Sequence, residues 1–462
     1  MPPMRWINAG LRSALPRLLQ INQPVPPRSD EEIAAEVERH YRWNFTVNLI
    51  EGASFFFGAG FASSSTIIPL FISKFTSSPL PIGLASVIAQ GGWFLPQLFT
   101  ANLVERLPRK KPVVVNLGLF IERVPIWIMP GAVLLAVQSP LLALVAFVGG
   151  YAWHGLGAGI AATAWQDLIA RCFPVNRRGR FLGLSMFIGA GTGALGAGLS
   201  AWLLQTFPFP TNFLYIFAIA AVGITISWCC IALTRETAQP VSAAHRQSNR
   251  QFWAGLPNIL RQDHNFRRFL IARILLAIGG MGGGFVTVAA VQRWQVSDAD
   301  VGIYTGALLA GQTVANLAFG LLADRFGHKL CLEVGTLASF LAFAAAWLAP
   351  AQGWFFAVFV LLGIASGSVT ISGMLVVLEF CEPRRRPTYI GLVGTGVGLF
   401  GGVSPLVGVW LANIGYGWLF AVSAAINLAA LIALRWWVKE PRQAAPALLM
   451  NENQAALDGP SI

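Results

Sequence analysis

The chain is 462 residues long, 55% apolar and only 11% charged, with a mean hydropathy of +0.62. A soluble domain carries about a quarter charged residues, so too little polar surface is present to coat a globule of this size; a soluble enzyme, a disordered chain and a disulfide-stapled domain are excluded. The formal charge of +12 is scattered through short loops between apolar runs. That is the pattern of a topology signal rather than of a phosphate-binding patch, so the expected partner is the lipid bilayer and not nucleic acid.

In chain order, residues 1–43 read as a cytoplasmic tail. Before Asp30 it holds arginines (Arg5, Arg12, Arg17, Arg28) and no acids, and it lacks an apolar core long enough for a secretory leader, so it is expected to be retained. Ser29 with Glu32 three residues on forms a capping box, and Asp30, Glu31 and Glu32 suit the positive end of a helix dipole. A short amphipathic helix is predicted to run towards the membrane near Tyr41.

Apolar segments then recur at roughly 44–73, 80–104, 112–135, 140–169, 181–205 and 212–233. Six more follow at 268–291, 301–323, 330–349, 353–378, 389–413 and 415–437. Each is long enough to cross about 30 Å of hydrocarbon as a helix. The prediction is an all-α polytopic membrane protein with twelve transmembrane helices. An N-terminal six-helix bundle (44–234) and a C-terminal one (267–438) flank a cytoplasmic central loop (235–266), and a cytoplasmic tail (439–462) closes the chain.

Lys74 and Arg293 fall in the odd-numbered loops, and Arg123 and Arg273 lie inside spans. The rest of the 32 Lys and Arg gather at the termini and even-numbered loops. Both ends and the central loop are therefore expected on the cytoplasmic side of a cell membrane, plasma or inner. Cys172, Cys229, Cys230, Cys331 and Cys381 fit no paired metal-ligand spacing, so no metal is expected and they read as free thiols.

The two halves are related. At a shift of 219, Gly83 to Lys110 aligns without a gap with Gly302 to Lys329, pairing Gly92 with Gly311, Gln97 with Asn316, Glu105 with Asp324, Arg106 with Arg325 and Lys110 with Lys329. Cys172-Phe173-Pro174 after the fourth span likewise matches Cys381-Glu382-Pro383 after the tenth. A six-helix unit used twice places a binding site between the halves near the midplane.

The loop Gly320-Leu321-Leu322-Ala323-Asp324-Arg325-Phe326-Gly327-His328-Lys329 is similar to the G-x-L-a-D-R-x-G-R-K signature of the major facilitator superfamily of secondary transporters. The resemblance covers residues 44–440. The first-half copy is degenerate, with Ala101, Glu105 and Pro108 at the glycine, aspartate and turn-glycine positions, followed by Arg109 and Lys110. Physically, a tight turn needs Gly or Pro, and its carboxylate reaches a helix N-terminus and neighbouring arginines. Contacts of that kind form in one conformer and break in another. Glu105, Arg106, Arg109, Gly320, Asp324, Arg325, Gly327 and Lys329 are thus candidates for a conformational latch.

Charge at membrane depth costs several kcal/mol, so each ionisable residue in a span needs a partner or a wet cavity. The resemblance implies that the first, fourth, seventh and tenth helices line a central cavity. Glu51, on one face with Asn48 and followed by Phe55, is then a candidate proton-titrating group; a structural ion pair is the other reading. Arg273, near the repeat-related position of Asn48, could serve the cavity or snorkel to water. His154, beside Trp153, could carry protons, bind substrate or hydrogen-bond between helices. Gln312, Ser366 and Thr370, with Ser368, offer neutral hydrogen bonds in the second half. Glu122 and Arg123 read as structural, and as helix neighbours about 100° apart they need not pair.

No phosphate-binding loop, catalytic constellation or organic cofactor is indicated, so the chain is not expected to be an enzyme and a proton or ion gradient is the expected energy source. The leading expectation is a monomeric carrier that exports amphiphilic small molecules in exchange for protons. Uptake or facilitated passage of a polar metabolite, and a non-transporting receptor or scaffold, are the alternatives.

Overall fold

A computed structural model describes residues 16–21, 23, 25–105, 107–174, 177–239, 259–380 and 386–441. Ser29 caps the first long helix as its spacing requires: the Glu32 amide donates to Ser29 Oγ at 3.2 Å, and the Ser29 amide donates to the Glu32 carboxylate at 3.1 Å. The polar helix continues past Tyr41. It runs unbroken into the apolar region as α1 (Asp30–Phe61), and the first span then breaks over 62–66 before α2 (Ile67–Ser73).

The remaining helices are α3 (Pro79–Glu105), α4 (Val113–Leu134), α5 (Pro140–Cys172), α6 (Arg178–Thr206), α7 (Thr211–Leu233), α8 (His264–Trp294), α9 (Asp298–Phe326), α10 (His328–Leu348), α11 (Trp354–Leu378), α12 (Arg386–Ile414) and α13 (Tyr416–Trp437). Among the described residues, ten helices, α4 through α13, are long and apolar enough to cross a bilayer. The architecture is all-α and polytopic.

Small residues set the packing. In the first half α1 packs on α6 and α7, and α5 packs on α3. In the second, α11 packs on α9 and α10, and α13 packs on α8 and α10. Gly157 of α5 sits directly on the backbone of Ile121 and Glu122 in α4, with no room for a Cβ. Two long seams join the halves, α6 on α9 and α3 on α12. In the second seam a Cβ on Gly402 would stand 3.1 Å from Gly91 Cα, a close backbone approach that glycine at 402 eases.

Among the described residues three helices depart from α geometry: α13 ends in a π-helical turn over Ala433–Trp437, and α4 and α8 depart where their sequence removes donors or side chains. Pro125 and Pro130 lack N–H groups, and α4 shifts into π-helical register over Val113–Leu117 and Leu119–Arg123. In α8 the run Gly280-Met281-Gly282-Gly283-Gly284-Phe285 tightens into a 3-10 turn.

Candidate transport site

The charged residues read from the first and third spans come together inside the first half. Glu51 is 5% exposed, and its carboxylate accepts a hydrogen bond from Ser227 Oγ of α7 at 3.2 Å. Glu122 and Arg123 do pair, at 2.5 Å, both buried. Their directions still diverge around the helix, and the two long side chains bend to meet across that gap at the end of the π-helical stretch of α4. The Arg123 guanidinium also lies 5.8 Å above the Phe55 ring, one turn beyond Glu51, while its Nε has no acceptor. Arg123 and Glu122 both act electrostatically on Glu51.

His154 of α5 joins this cluster from the fourth side. Its Nδ1 lies 2.8 Å from the Glu122 carbonyl oxygen, which can only accept, so Nδ1 carries the proton and Nε2 is the free basic nitrogen. Three helices, α1, α4 and α5, thus supply two carboxylates, one guanidinium and one imidazole to one cluster, and α7 adds the Ser227 hydroxyl.

Asn48 stands apart from the cluster. Fully buried, it donates to the Asn44 carbonyl at 2.8 Å and accepts from Thr234 Oγ1 at 3.2 Å, while Asn44 bonds Arg235 through both N–H and C=O. These contacts fasten α1 to the end of α7. Trp153 is 52% exposed and continues a strip of exposed side chains on α5 that includes Leu142, Val145 and Leu156.

The second half has a different chemistry. Ser366 and Thr370 are exposed on one face of α11, while Ser368 and Ser372 on its other side reach α10: Ser368 Oγ donates to the Cys331 carbonyl at 2.7 Å and Ser372 Oγ lies 3.2 Å from His328 Nδ1. Arg273 of α8 is 6% exposed and lies against Gly373, one turn beyond Thr370. Gln312 of α9 is half-buried on the side away from the exposed Val314, Leu317 and Leu321, and Asn316 follows one turn later with its Oδ1 buried and unpartnered.

Of the latch candidates, Arg106 lies outside the described residues, as do the side chains of Glu105 and Asp324. Arg109 bonds Gln23, Arg325 stacks on Phe326, and Gly320 has open space around it. Gly327 adopts φ 91°, the left-handed turn that glycine permits, and Lys329 pairs with Glu333 at 2.7 Å. Two acids not singled out from the sequence hold these loops. Glu236, just past α7, accepts from the Lys110 and Lys111 amides at 2.7 and 2.9 Å and so caps α4. Glu440, past α13, brings its carboxylate against Gly327 at the start of α10. The signal was an acid directly after a basic residue at the end of each six-helix unit, Arg235-Glu236 and Lys439-Glu440.

The cluster around Glu236 is charged and dense. Lys110 Nζ lies 3.2 Å from Asp167, and Arg171 bridges Asp167 at 3.4 Å and Glu236 at 3.7 Å. Burial, then the Arg171 charge, pushes the Lys110 ammonium below its ordinary range, and burial holds the Glu236 carboxyl above its own.

Among the described residues, every hydrogen bond and ion pair between the halves lies at the end carrying the short loops. Lys74 meets Asp298 at 2.6 Å, Thr287 donates to the Ser65 carbonyl at 2.7 Å, and Thr305 donates to Thr66 at 2.6 Å. Gly302 presses on the Ala201 backbone beside them. At the opposite end, where α1 begins and α13 finishes, ion pairs stay within one half.

Comparison with known proteins agrees with this geometry. An enterobactin exporter, EntS of Escherichia coli (strain K12), is 25% identical over 400 residues, 81% of this chain and 89% of that protein. A gallate transporter of Pseudomonas putida is 30% identical over 158 residues, so this chain spans about a third (34%) of that relative's length. The xylose transporter XylE from E. coli, solved in a partially occluded inward open conformation, superposes with a TM-score of 0.61 at 14% identity, covering 87% of this chain and 98% of that one. Residues 50–293 and 274–457 match the model of the Major Facilitator Superfamily, and two matched stretches that together take in both halves place the chain in that family. This protein belongs to the Major Facilitator Superfamily of membrane transporters.

Proposed function

We propose that this protein is a proton-coupled exporter of amphiphilic small molecules, working by alternating access as a twelve-span monomer with both ends in the cytoplasm. In this reading the end sealed by Lys74 and Asp298 faces outward and the described conformation opens inward. The observation that carries proton coupling is the charge count of the first-half cluster. Two buried carboxylates, Glu51 and Glu122, share one guanidinium, Arg123. Fully ionised, the cluster would hold an uncompensated negative charge at membrane depth, which costs several kcal/mol.

One proton removes that cost, on Glu51 or on Nε2 of His154. Movement of α1 and α7 during reorientation changes the burial of Glu51 and hence its hold on the proton. The match over most of its length to a protein named as an exporter supports the outward direction. Gln312, Ser366 and Thr370, gathered in the second half, favour as a second reading the uptake of a polar metabolite.

Purified protein in liposomes with an imposed pH gradient tests both, against amphiphiles, sugars and organic acids. Export coupling predicts substrate accumulation against an opposing proton flow, in the compartment from which protons leave. Accumulation together with protons would favour the uptake reading. Transport that ignores the gradient for every compound would refute proton coupling.

A further inference from the structure

Among the described residues of the second half, one buried cation has no counter-ion. Arg273 is 6% exposed, and its Nε is sealed from solvent with no acceptor. Among the described residues it forms no hydrogen bond and no ion pair, and no acidic side chain acts on it electrostatically. Snorkelling does not relieve it. Its head lies against Gly373 of α11, where an added Cβ would stand 2.9 Å from Nη2, and Arg273 is on the opposite side of α8 from the exposed Ile271.

The place where the head ends is specific. Gly373 continues the face of α11 that presents Ser366 and Thr370, the face turned away from α10. Gln312 and the unpartnered Asn316 lie across from it on α9. Ser366 and Thr370 are exposed and polar, whereas the exposed positions at the sealed end of α11, Trp354 and Phe356, are apolar; the polar pair suits the wall of a wet opening better than a lipid-facing strip. A guanidinium at its edge, desolvated and unpaired, leaves its donors free for a planar anion.

We infer that Arg273 is the anion-binding point of the transport site, so that the cargo is an organic anion whose carboxylate, phosphate or sulfonate pairs with the guanidinium while Ser366, Thr370 and Gln312 hold its neutral polar groups. This inference rests on the carrier reading above and gives it a substrate class. Substrate and proton are then divided between the halves: the anion charge is met by Arg273 and the proton is held by the Glu51 cluster. An unpaired buried cation costs stability that the bound anion returns.

Equilibrium binding to purified protein in neutral detergent tests this without relying on transport. The probes are matched acid and amide pairs, 2-naphthoate with 2-naphthamide and decanoate with decanamide, together with chloride, inorganic phosphate and short-chain phosphatidic acid against phosphatidylcholine. For at least one pair the wild type is expected to bind the acid about tenfold or more tightly than the amide. Arg273→Gln should erase that preference, and Arg273→Lys should keep part of it. Ligand-free Arg273→Gln should melt at or above the wild type, because no partner is lost.

Should Arg273→Gln fail to fold, Gly373→Ala serves, since its methyl group displaces the guanidinium and should lower acid binding with amide binding unchanged. Glu51→Gln should keep the acid preference, so loss of gradient-driven transport in that variant with intact anion binding separates failure of proton coupling from failure of the anion site. Equal binding of acid and amide in every pair, an acid preference that survives Arg273→Gln, or a lower melting temperature for that ligand-free variant would overturn the inference. So would an Arg273-dependent response to chloride or phosphate equal to that of the organic acids, which marks a counter-ion, or to phosphatidic acid alone, which marks a lipid headgroup.

Discussion

Glu122, Arg123 and Glu51 show why single charges in a membrane protein have to be read together. Removing Arg123 leaves two buried carboxylates without their cation. Arg123→Gln is therefore expected to destabilise the protein by about 3–5 kcal/mol, the usual cost of stranding a buried partner. The double variant Glu122→Gln with Arg123→Gln should recover most of that, since both charges leave at once. Thermal unfolding in detergent measures it, and equal losses in the single and double variants would contradict the pairing. Glu51 could be picked out from sequence because a carboxylate in an apolar span is costly wherever it sits. The role of Asn48 could not, because its partner Thr234 is 186 residues away. Nor could the isolation of Arg273, which is a property of what fails to surround it.

At the scale of helices, the spacing of apolar runs gave the elements, while the irregularities of α4 and α8 came from proline and glycine acting through tertiary context. Pro125 is plain in the sequence; that α4 answers it with a π register over Leu119–Arg123 depends on the helices packed around it. The cap on α4 was equally hidden, since Glu236 comes from beyond α7 to supply it. Its carboxyl is held above the ordinary value of 4.5, chiefly by burial. An acid with a raised folded-state pKa favours folding while protonated and loses that contribution as pH rises from the unfolded value through the folded one. Glu236→Gln removes this dependence. Its melting temperature relative to the wild type should rise with pH across the window that opens at about 4.5 and then level off. A difference that falls with pH in that window would contradict the burial argument. Gly157→Ala should be among the most damaging methyl additions, because the new Cβ meets the α4 backbone rather than a movable side chain.

Across the whole molecule, a likeness between the two halves was legible from the aligned stretches 83–110 and 302–329, each a helix and the turn after it, because tight turns and charge at span ends are local requirements. Which end is closed is a relation between halves, and no local pattern encodes it. The seal combines one ion pair with close helix packing, and their weights differ. Lys74 and Asp298 are partly solvated, and such pairs contribute about 0.2–1 kcal/mol. Asp298→Asn should therefore shift the balance of closed and open forms by no more than about fivefold. Gly302→Leu, which drives a side chain into the Ala201 backbone, should open this end far more. Spin-label distances across the seam measure both, and a larger effect from Asp298→Asn would assign the seal to charge rather than packing.

The central claim is that the first-half cluster exchanges a proton as the carrier turns over, and Glu51→Gln tests it most directly. In proteoliposomes, one preparation supports two readings: accumulation driven by a pH gradient, and exchange of labelled for unlabelled substrate with no gradient. A neutral amide mimics the protonated acid and does not release a proton, so accumulation should be lost. Exchange should persist, because it needs only reorientation of the loaded carrier. His154→Ala in the same assay shows whether Nε2 shares the proton. Full gradient-driven accumulation in Glu51→Gln, with unchanged pH dependence, would contradict the account and leave Glu51 as part of a structural charge network.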